Sequence, residues 1–397
     1  MSEVMNVPKG WIKTLLSDSF RLKSGDTKPY DTSKEGLFEV YGGNGITGYT
    51  QYLNNHQQNI VIGRVGEYCG SVYLVSKCWI TDNALMISEK IIDFDLKYMY
   101  FLLKFINLNQ YKSETGQPLL NQTVIGNILV MLPQSIKEQQ KIAKILSTLD
   151  QAIEATQKLI AKEKNIKKGL MHDLLSNGID EYGKIRTLKT HKYKESELGL
   201  IPEKWEIFRL FELGEIITGS TPSTNVEENY DGEMPFIGPV DFKGQSMIVD
   251  TEKTVSYLGL TESREIPINT IMTVCIGSTI GKMALSSQIS CTNQQINSLI
   301  CHGVNDYKFI FYNMQQYLLR QLNIEAGLQA VPLVNKSSFS KLILPCPLAL
   351  EEQKQIADIL TNQDKKIEIE EKNLAKLKEL KKGLMDDLLS GRVRVKF

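Results

Sequence analysis

The 397-residue chain carries one segment of its sequence twice. Residues 138–176, EQQKIAKILSTLDQAIEATQKLIAKEKNIKKGLMHDLLS, align without a gap with residues 352–390, EQKQIADILTNQDKKIEIEEKNLAKLKELKKGLMDDLLS, at a constant offset of 214. The same offset continues upstream, where Pro118, Leu119 and Asn121 match Pro332, Leu333 and Asn335. A sequence repeat marks a repeated structural unit. The chain is therefore expected to fold as two similar halves.

Each half consists of a variable block followed by the repeated segment. Near the start of the blocks the match survives at a shorter offset, because Pro8 and Trp11 correspond to Pro202 and Trp205. Between these anchors the two blocks diverge strongly. We predict five segments: a first block at 1–132, a long helix at 133–178, a linker at 179–204, a second block at 205–346, and a second helix with a C-terminal tail at 347–397.

The repeated segment has the pattern of a long amphipathic helix. It lacks proline, and its apolar residues recur at three- and four-residue steps. The first copy has Ile142, Ile145, Leu149, Ile153, Thr156, Leu159, Ile166, Leu170 and Leu174, and the second has Ile356, Leu360, Ile367, Leu374, Leu377, Leu384 and Leu388. About 39 residues make a rod of roughly 58 Å.

Such a rod with a narrow apolar stripe needs a partner, and the other copy is the obvious one. We expect the two helices to pack as an antiparallel coiled-coil spacer that holds the blocks at a fixed separation. Glu, Thr and Gln within the stripe argue against an ideal, uninterrupted coiled coil. Two ordinary bundle helices in one compact domain remain the alternative.

The variable blocks predict a mixed fold, so the class is α+β with two pseudo-repeated α/β domains. IVIGRV, SVYLVSK and ITDNALMI in the first block, and TIMTVCIG and INSLICH in the second, have the composition of short strands. DLKYMYFLLKFINLNQY and DYKFIFYNMQQYLLRQLN have the periodicity of amphipathic helices that close each sheet.

Two loops rich in Gly, Asn, Thr and Tyr are the candidate binding elements. They are VYGGNGITGY at 40–49 and ITGSTPSTNVEENYDG at 217–232. Glycine permits positive φ and close backbone approach, while the polar side chains supply hydrogen-bonding edges and stacking faces. An ordinary turn is the competing interpretation for either loop taken alone.

No catalytic, cofactor or metal motif is present in either half. The sequence lacks GxxxxGK[ST], GxGxxG, GxSxG and HExxH, and its six cysteines and four histidines are scattered. The pattern indicates a binder, with no cofactor or metal of its own. No run of about 18 apolar residues is present and the N-terminus does not resemble a signal peptide, so we expect a cytoplasmic protein with no membrane partner.

Several segments together resemble the specificity subunits of type I restriction–modification systems, over essentially the whole chain. VYGGNGITGY, IVIGRVGEYCG and WITDNALMI resemble that family's target recognition domains, as do GSTPSTN, PFIGPVDF, VCIGSTIGKMAL and CTNQQINSLI. LPQSIKEQQKIAKILSTLD and LPCPLALEEQKQIADIL are similar to the starts of its two conserved spacer helices, and YKESELGLIPEKW to the junction before the second recognition domain.

The resemblance implies a non-catalytic subunit of a host-defence complex that methylates and cleaves DNA. Each target recognition domain would read one half of a bipartite, asymmetric site on double-stranded DNA. The helices would set the gap and dock two modification (methyltransferase) subunits, which restriction (translocase-endonuclease) subunits then join. S-adenosylmethionine, ATP and Mg²⁺ would be bound by those partners. Half-sites one turn apart lie about 34 Å from each other, a distance that suits the predicted rod.

The candidate DNA-contacting residues come from the loops and their neighbours. They are Tyr41, Asn44, Tyr49 and Arg64 in the first block, and Thr221, Ser223, Asn225 and Lys243 in the second. The second block has no GGNG loop, so contacts inferred for 41–49 do not transfer to it. Asn83, Gln294 and Gln295 also lie in family-like segments, where a buried structural hydrogen bond is an equally good interpretation.

Charge leaves one other hypothesis open. Lys and Arg total 46, as do Asp and Glu, so the formal net charge is zero. The first block, from Ile12 to Leu132, carries 11 basic and 11 acidic residues, and the second, from Trp205 to Cys346, carries 9 and 14. A block that is not basic attracts phosphate weakly, which also fits a scaffold that binds polypeptide. A nuclease or methyltransferase acting alone is disfavoured by the missing motifs.

Overall fold

The computed structural model describes residues 7–113, 116, 118–327 and 332–396. The chain forms two compact units, one of Met1–Lys158 with Glu371–Phe397 and the other of Leu159–Glu370. Each unit contains one variable block and a part of both long helices. The units therefore cut across the segment boundaries given above, and those boundaries stay a prediction.

The first unit contains a four-stranded, a three-stranded and a two-stranded sheet. Its strands are β1 (Trp11–Leu15), β2 (Phe20–Ser24), β3 (Phe38–Gly42), β4 (Gly45–Thr50), β5 (Asn59–Gly63), β6 (Val72–Val75), β7 (Trp79–Ile80), β8 (Ala84–Lys90) and β9 (Leu129–Pro133). Its short helices are α1 (Leu16–Ser19), α2 (Leu96–Ile106) and α3 (Gln122–Gly126), with a 3₁₀ turn at Leu108–Tyr111. Strand orders are β2-β8-β5-β6, β4-β3-β7 and β1-β9.

The main core of the first unit lies between the four-stranded sheet and α2. Asp95 caps this helix by accepting a hydrogen bond from the Tyr98 amide, and Asn107 ends it in the left-handed region at φ 55°. Tyr98, Met99 and Leu103 on its inner face are completely buried. The strands and the helix predicted from the sequence are thus confirmed in this block.

The second unit repeats this plan with additions. Its strands are β10 (Tyr193–Ser196), β11 (Gly199–Pro202), β12 (Trp205–Arg209), β13 (Gly214–Thr218), β14 (Tyr230–Ile237), β15 (Met247–Ile248), β16 (Lys253–Val255), β17 (Glu265–Ile266), β18 (Ile271–Val274), β19 (Met283–Ser286), β20 (Ser290–Thr292), β21 (Ile296–Cys301) and β22 (Ile343–Pro347). The sheets have the orders β13-β21-β18-β19-β15, β16-β14-β20-β17, β12-β22 and β10-β11.

Two 3₁₀ turns and four helices complete the second unit before the last long helix. The turns are Glu227–Asn229 and Pro239–Asp241, and four helices are α5 (Leu210–Leu213), α6 (Tyr257–Thr261), α7 (Tyr307–Ala326) and α8 (Lys336–Ser340). The strands predicted at TIMTVCIG and INSLICH and the helix predicted at DYKFIFYNMQQYLLRQLN are confirmed by β18, β21 and α7.

Both copies of the repeated segment are single helices. α4 spans Ile136–Asn177 with 42 residues, and α9 spans Leu350–Leu389 with 40. Both are rich in charged residues, and none of the helices in the described part of the chain is long and apolar enough to cross a membrane.

The two long helices run antiparallel within each unit, as the sequence predicts. In the second unit the Ile179 amide, just after α4, donates to Glu352 at the start of α9. Farther along α9, Gln363 donates to Glu163, which lies earlier in α4. In the first unit Glu138 at the start of α4 meets Arg394 after α9, and Asp150 meets Lys381. Residue numbers thus rise along one helix as they fall along the other.

The helix contacts in the second unit are more polar than an ideal coiled coil. Leu159 and Ile166, which the periodic stripe assigns to the buried face, are 39% and 40% exposed. Ile160 is buried in place of Leu159, while Ile367 of the predicted stripe is buried as expected. Next to Ile166, Lys167 pairs with Asp364 at 2.6 Å. The apolar stripe of the first helix is therefore interrupted, as expected.

A buried carboxylate holds the base of each unit together. In the second unit both oxygens of Glu352 accept from the Arg186 guanidinium, at 2.5 and 2.9 Å, and Oε1 also accepts from Trp205 Nε1. In the first unit Glu138 accepts from Arg394 at 2.6 and 2.8 Å, and that guanidinium lies over the Trp11 ring. The C-terminal tail thus occupies, in the first unit, the place that the linker occupies in the second.

We predict that Glu352→Gln lowers the free energy of unfolding by about 3 kcal/mol, because it leaves the Arg186 charge buried without a counter-charge. Denaturant unfolding of the purified chain measures the change. Glu351→Gln is the control, since Glu351 is exposed and accepts a hydrogen bond from the Gln355 side chain one turn away. Equal unfolding midpoints for the two variants would contradict the prediction.

Candidate nucleic-acid interface

Four loops meet at one end of the sheets in the first unit. They are residues 24–26 after β2, 42–45 between β3 and β4, 64–66 after β5, and 81–83 before β8. Backbone hydrogen bonds join them: Thr81 N donates to Tyr41 O, Arg64 N to Asn83 O and Asp26 N to Ile80 O, at 2.9 to 3.1 Å. These loops therefore have a fixed backbone frame on which side chains are displayed.

The GGNG turn presents Asn44 to solvent. Gly43 and Gly63 allow the turn to approach the neighbouring loop, because a Cβ on Gly63 would lie 2.0 Å from the Gly43 carbonyl oxygen. Gly45 has φ +85°, which favours glycine. Asn44 lies at the exposed tip of this turn. Its amide is thus free to form the paired hydrogen bonds with which Asn reads adenine.

Arg64 lies beside the turn but is partly engaged within the protein. Its Nη1 donates to Ser24 Oγ at 2.8 Å, while its buried Nε has no partner among the described residues. The Ser24 contact fixes the direction of the guanidinium. A guanidinium oriented in this way can donate from its remaining N–H groups to a guanine edge or a phosphate.

The Tyr41 side chain is engaged within the protein, and Tyr49 lies farther along the hairpin. The Tyr41 hydroxyl donates to Glu39 at 2.9 Å, its ring lies 5.9 Å from that of Tyr73, and burial raises its pKa. Tyr49 lies four residues beyond the turn, about 13 Å along β4, where its backbone pairs with Ser33. The structure therefore places Asn44 and Arg64 on neighbouring loops, holds the Tyr41 side chain against Glu39 and Tyr73, and places Tyr49 farther along β4.

The second unit reproduces the same backbone frame. Gly277 N donates to Pro332 O as Gly66 N donates to Pro118 O. Four further bonds of the second unit have counterparts in the first. The bond from Cys275 N to Gln295 O matches that from Arg64 N to Asn83 O, and the bond from Val334 N to Cys275 O matches that from Leu120 N to Arg64 O. Likewise, the bond from Gly219 N to Ile296 O matches that from Gly25 N to Ala84 O, and the bond from Asn293 N to Ile237 O matches that from Thr81 N to Tyr41 O. Each position in one frame therefore has a counterpart in the other.

The side chains on the two frames differ. Cys275 stands where the first unit has Arg64, and Gln295 where it has Asn83. Cys275 is buried, which raises the pKa of its thiol to about 12. The second frame therefore offers no arginine at this position.

A cavity of about 430 Å³ opens between the loops of the second unit. It is lined by the loop 238–241 after β14, the loop 276–279 after β18, and Asn293 and Gln295 before β21, with Glu252 and Lys253 at its side. Asp241, 2% exposed, holds its wall by accepting from the Gly238 and Glu252 amides. Asn293 donates to Gln295 at 3.2 Å, which orients both amide side chains.

Thr221 lies beside the loops of this cavity. Its contact identifies Gln294, which was not among the candidate residues selected from the sequence. Its hydroxyl donates to Gln294 Oε1 at 2.8 Å, and Gln294 is exposed. The alternative of a buried structural role does not fit Gln294, nor the equally exposed Asn83. Their family-like segments gave the signal, but the sequence alone could not place Gln294 beside the loop at 217–232.

Ser223, Asn225 and Lys243 are exposed, and each has only local contacts. The Asn225 amide donates to the Ser223 hydroxyl at 3.4 Å, and the Lys243 amide donates to Gln245 at 2.9 Å. Arg264 lies closer to the frame than these candidates, because it donates to the Thr218 carbonyl while its amide donates to Ser220. Its exposed cationic side chain was not among the candidates selected from the sequence.

The described residues contain no group of three or more His, Cys, Asp or Glu side chains placed to hold a metal ion. The two frames display amide, hydroxyl and guanidinium groups on rigid loops. Together they have the features of a protein that recognises hydrogen-bonding edges, as a reader of DNA sequence does.

Comparison with known proteins identifies this class. The family model for the type I restriction modification DNA specificity domain matches residues 8–163 and 202–379. The putative type I restriction enzyme MjaX specificity subunit of Methanocaldococcus jannaschii is 30% identical over 75% of this chain and 68% of its own. The MjaVIII specificity subunit of the same organism is 26% identical over 99% and 95%. The chain belongs to the family of type I restriction–modification specificity subunits.

Solved structures show the same fold. The S subunit of a type I system from M. genitalium superposes with a TM-score of 0.70 at 18% identity, over 98% of each chain. A chain from a study of complex assembly in the type I system superposes with a TM-score of 0.56 at 16% identity, over 98% of this chain and all of its own. The protein is thus a non-catalytic DNA-recognition subunit with two repeated domains, and its fold class is the predicted one.

We predict that Gly219→Ala lowers the free energy of unfolding by about 1–3 kcal/mol. A Cβ there would lie 2.2 Å from the Asn293 carbonyl oxygen, which is backbone and cannot rotate away. Gly303→Ala is the matched control, because a Cβ at Gly303 meets no atom within 4 Å. Denaturant unfolding measures both variants, and a Gly219→Ala chain as stable as the control would contradict the prediction.

Proposed function

We propose that this subunit reads a bipartite, asymmetric DNA site, with one recognition domain for each half-site. The observation that carries the proposal is the recurrence of one backbone frame with different side chains. Identical frames would present both domains to DNA in the same manner. Different side chains at matched positions would then select different bases, as Asn83 and Arg64 in one frame, against Gln295 and the buried Cys275 in the other, suggest.

The residues proposed to contact bases are those displayed on the frames. Asn44, Arg64 and Asn83 serve the first domain, and Thr221, Gln294 and Gln295 the second. Amide and guanidinium groups on a fixed backbone select bases without the loss of conformational entropy that ordering a flexible loop would bring. Of the other candidates, Ser223, Asn225, Lys243 and the missed Arg264 contact the sugar–phosphate backbone, while Tyr41 and Tyr49 support the hairpin.

We propose that the rest of the machinery belongs to partner subunits. Two modification subunits dock on the long helices, and restriction subunits join them. These partners bind S-adenosylmethionine, ATP and Mg²⁺ and carry out methylation, translocation and cleavage. The neutral first block and the acidic second block support this division, since most of the phosphate attraction must then come from partners.

Substitutions on one frame should change one half of the recognised motif. Asn44→Ala is expected to weaken discrimination at one base position by about 1–3 kcal/mol, with the other half-motif unchanged. Gln294→Ala should do the same in the other half. Sequencing of methylated sites, in cells carrying the variant with its partners, gives the motif.

The control for these substitutions is Asn165→Ala, which removes an exposed asparagine from α4. It should leave both half-motifs unchanged. A single contiguous motif, or a change in both half-motifs from one substitution, would rule out one domain per half-site. Gain of methyl transfer by the purified chain alone would rule out the assignment of catalysis to partners.

The isolated chain should bind DNA poorly and gain affinity in the assembled complex. Because affinity falls with salt in proportion to the phosphates neutralised, the slope of log affinity against log salt should be steeper for the complex. Gel-shift titrations of both species against one duplex, at several salt concentrations, measure this. Equal affinities and equal slopes would contradict the proposed division of labour.

A further inference from the structure

The two units differ at one edge of their main sheets. β5 and β6 of the first unit correspond to β18 and β19 of the second, since both pairs are antiparallel and occupy the same place in the sheet order. In the second unit β19 has a further neighbour, β15. Among the residues that the structure describes, no strand of the first unit pairs with the outer edge of β6.

β15 shows how this edge is filled in the second unit. It runs parallel to β19, with Met247 beside Leu285 and Ile248 beside Ser286, and the Leu285 amide donates to the Ser246 carbonyl at 2.9 Å. Ile248 is 2% exposed and packs into the apolar cluster between the two sheets. A two-residue extended segment with one buried apolar side chain therefore pairs with this edge.

The corresponding edge of the first unit borders a cavity of about 400 Å³. Its lining consists of Ser71, Val72, Tyr73 and Leu74 along β6, Tyr41 on β3, and Tyr100 and Lys104 on α2. Side chains alternate along the strand: Tyr73 packs on the cluster beside β3, and Leu74 packs on the core beneath α2. The cavity thus lies at the edge of β6, between the layer with Tyr41 and the layer with Lys104.

The lining defines the chemistry of an occupant. Lys104 is the charged residue among the described residues that line the cavity, and its Nζ donates to the Tyr100 hydroxyl at 2.9 Å. The other polar groups are tyrosine hydroxyls, one serine and the strand backbone. An extended peptide with an apolar side chain towards Tyr41 and Tyr73, and a carboxylate near Lys104, matches this lining.

We propose that the outer edge of β6 is a docking site for an extended, acidic segment of another polypeptide. The segment adds a strand to the sheet, as β15 does in the second unit. Strand addition of this kind gains affinity from main-chain hydrogen bonds and specificity from alternate side chains. An exposed sheet edge without such a partner is also prone to unspecific pairing.

The probe for this site is a synthetic peptide, GQSMIVDTE, which copies residues 244–252 and thus contains β15 followed by Asp250 and Glu252. Fluorescence anisotropy of the labelled peptide with the full-length chain measures binding. Hydrogen exchange locates it, and we expect slower exchange at the backbone amides of Val72–Val75. GQSMIVNTQ, in which both carboxylates are replaced by amides, should bind at least fivefold more weakly.

Two charge-reversal variants on α2 distinguish binding at this site from general electrostatic attraction of the peptide. Lys104→Glu should weaken binding of GQSMIVDTE at least tenfold. Lys97→Glu, on the same helix but outside the cavity lining, should change it less than twofold. Both lysines are exposed, and circular dichroism of each variant checks that the fold is kept. Absence of saturable binding, protection at β19 in place of β6, or equal effects of the two reversals would overturn the proposal.

Discussion

The buried carboxylate at the start of each long helix is the contact on which each unit depends. Glu352 joins Arg186 of the linker, the Ile179 amide after α4 and the Trp205 indole at the start of β12. One side chain thus fixes where one helix ends, where the other begins and where the recognition block is attached. A buried charge with complete hydrogen bonding tolerates little displacement. The position at which the sheets and loops of the recognition block are attached is therefore fixed.

The recognition frames extend this rigidity to the proposed DNA-contacting surface. In both units the loops are joined by backbone hydrogen bonds, which do not depend on side-chain identity. The amide or guanidinium groups can therefore change without altering the frame. Close glycine contacts, such as that of Gly63 with the Gly43 carbonyl, fix the spacing between loops. A constant frame with exchangeable side chains suits a protein whose purpose is to select among sequences.

Much of the fold was predictable because it follows from local periodicity. The apolar repeat of α4 and α9 and the short apolar runs of β5 and β18 are set by residues a few positions apart. Leu159 and Ile166 were misassigned to the buried face, because the position next to Ile166 is taken by Lys167, whose partner Asp364 is distant in sequence. For the same reason Gln294 could not be joined to Thr221, and Tyr41 could not be known to pack against Tyr73.

The sequence by itself determined that this chain is duplicated, with two long helices and two divergent α/β blocks, since repeats and hydrophobic periods are properties of the order of residues. Only the tertiary structure decided which polar side chains share a surface. It also decided that the C-terminal tail takes the linker's place in the first unit, and that β6 has an edge where the second unit has β15. These features depend on contacts between residues far apart in the chain, which no local pattern encodes.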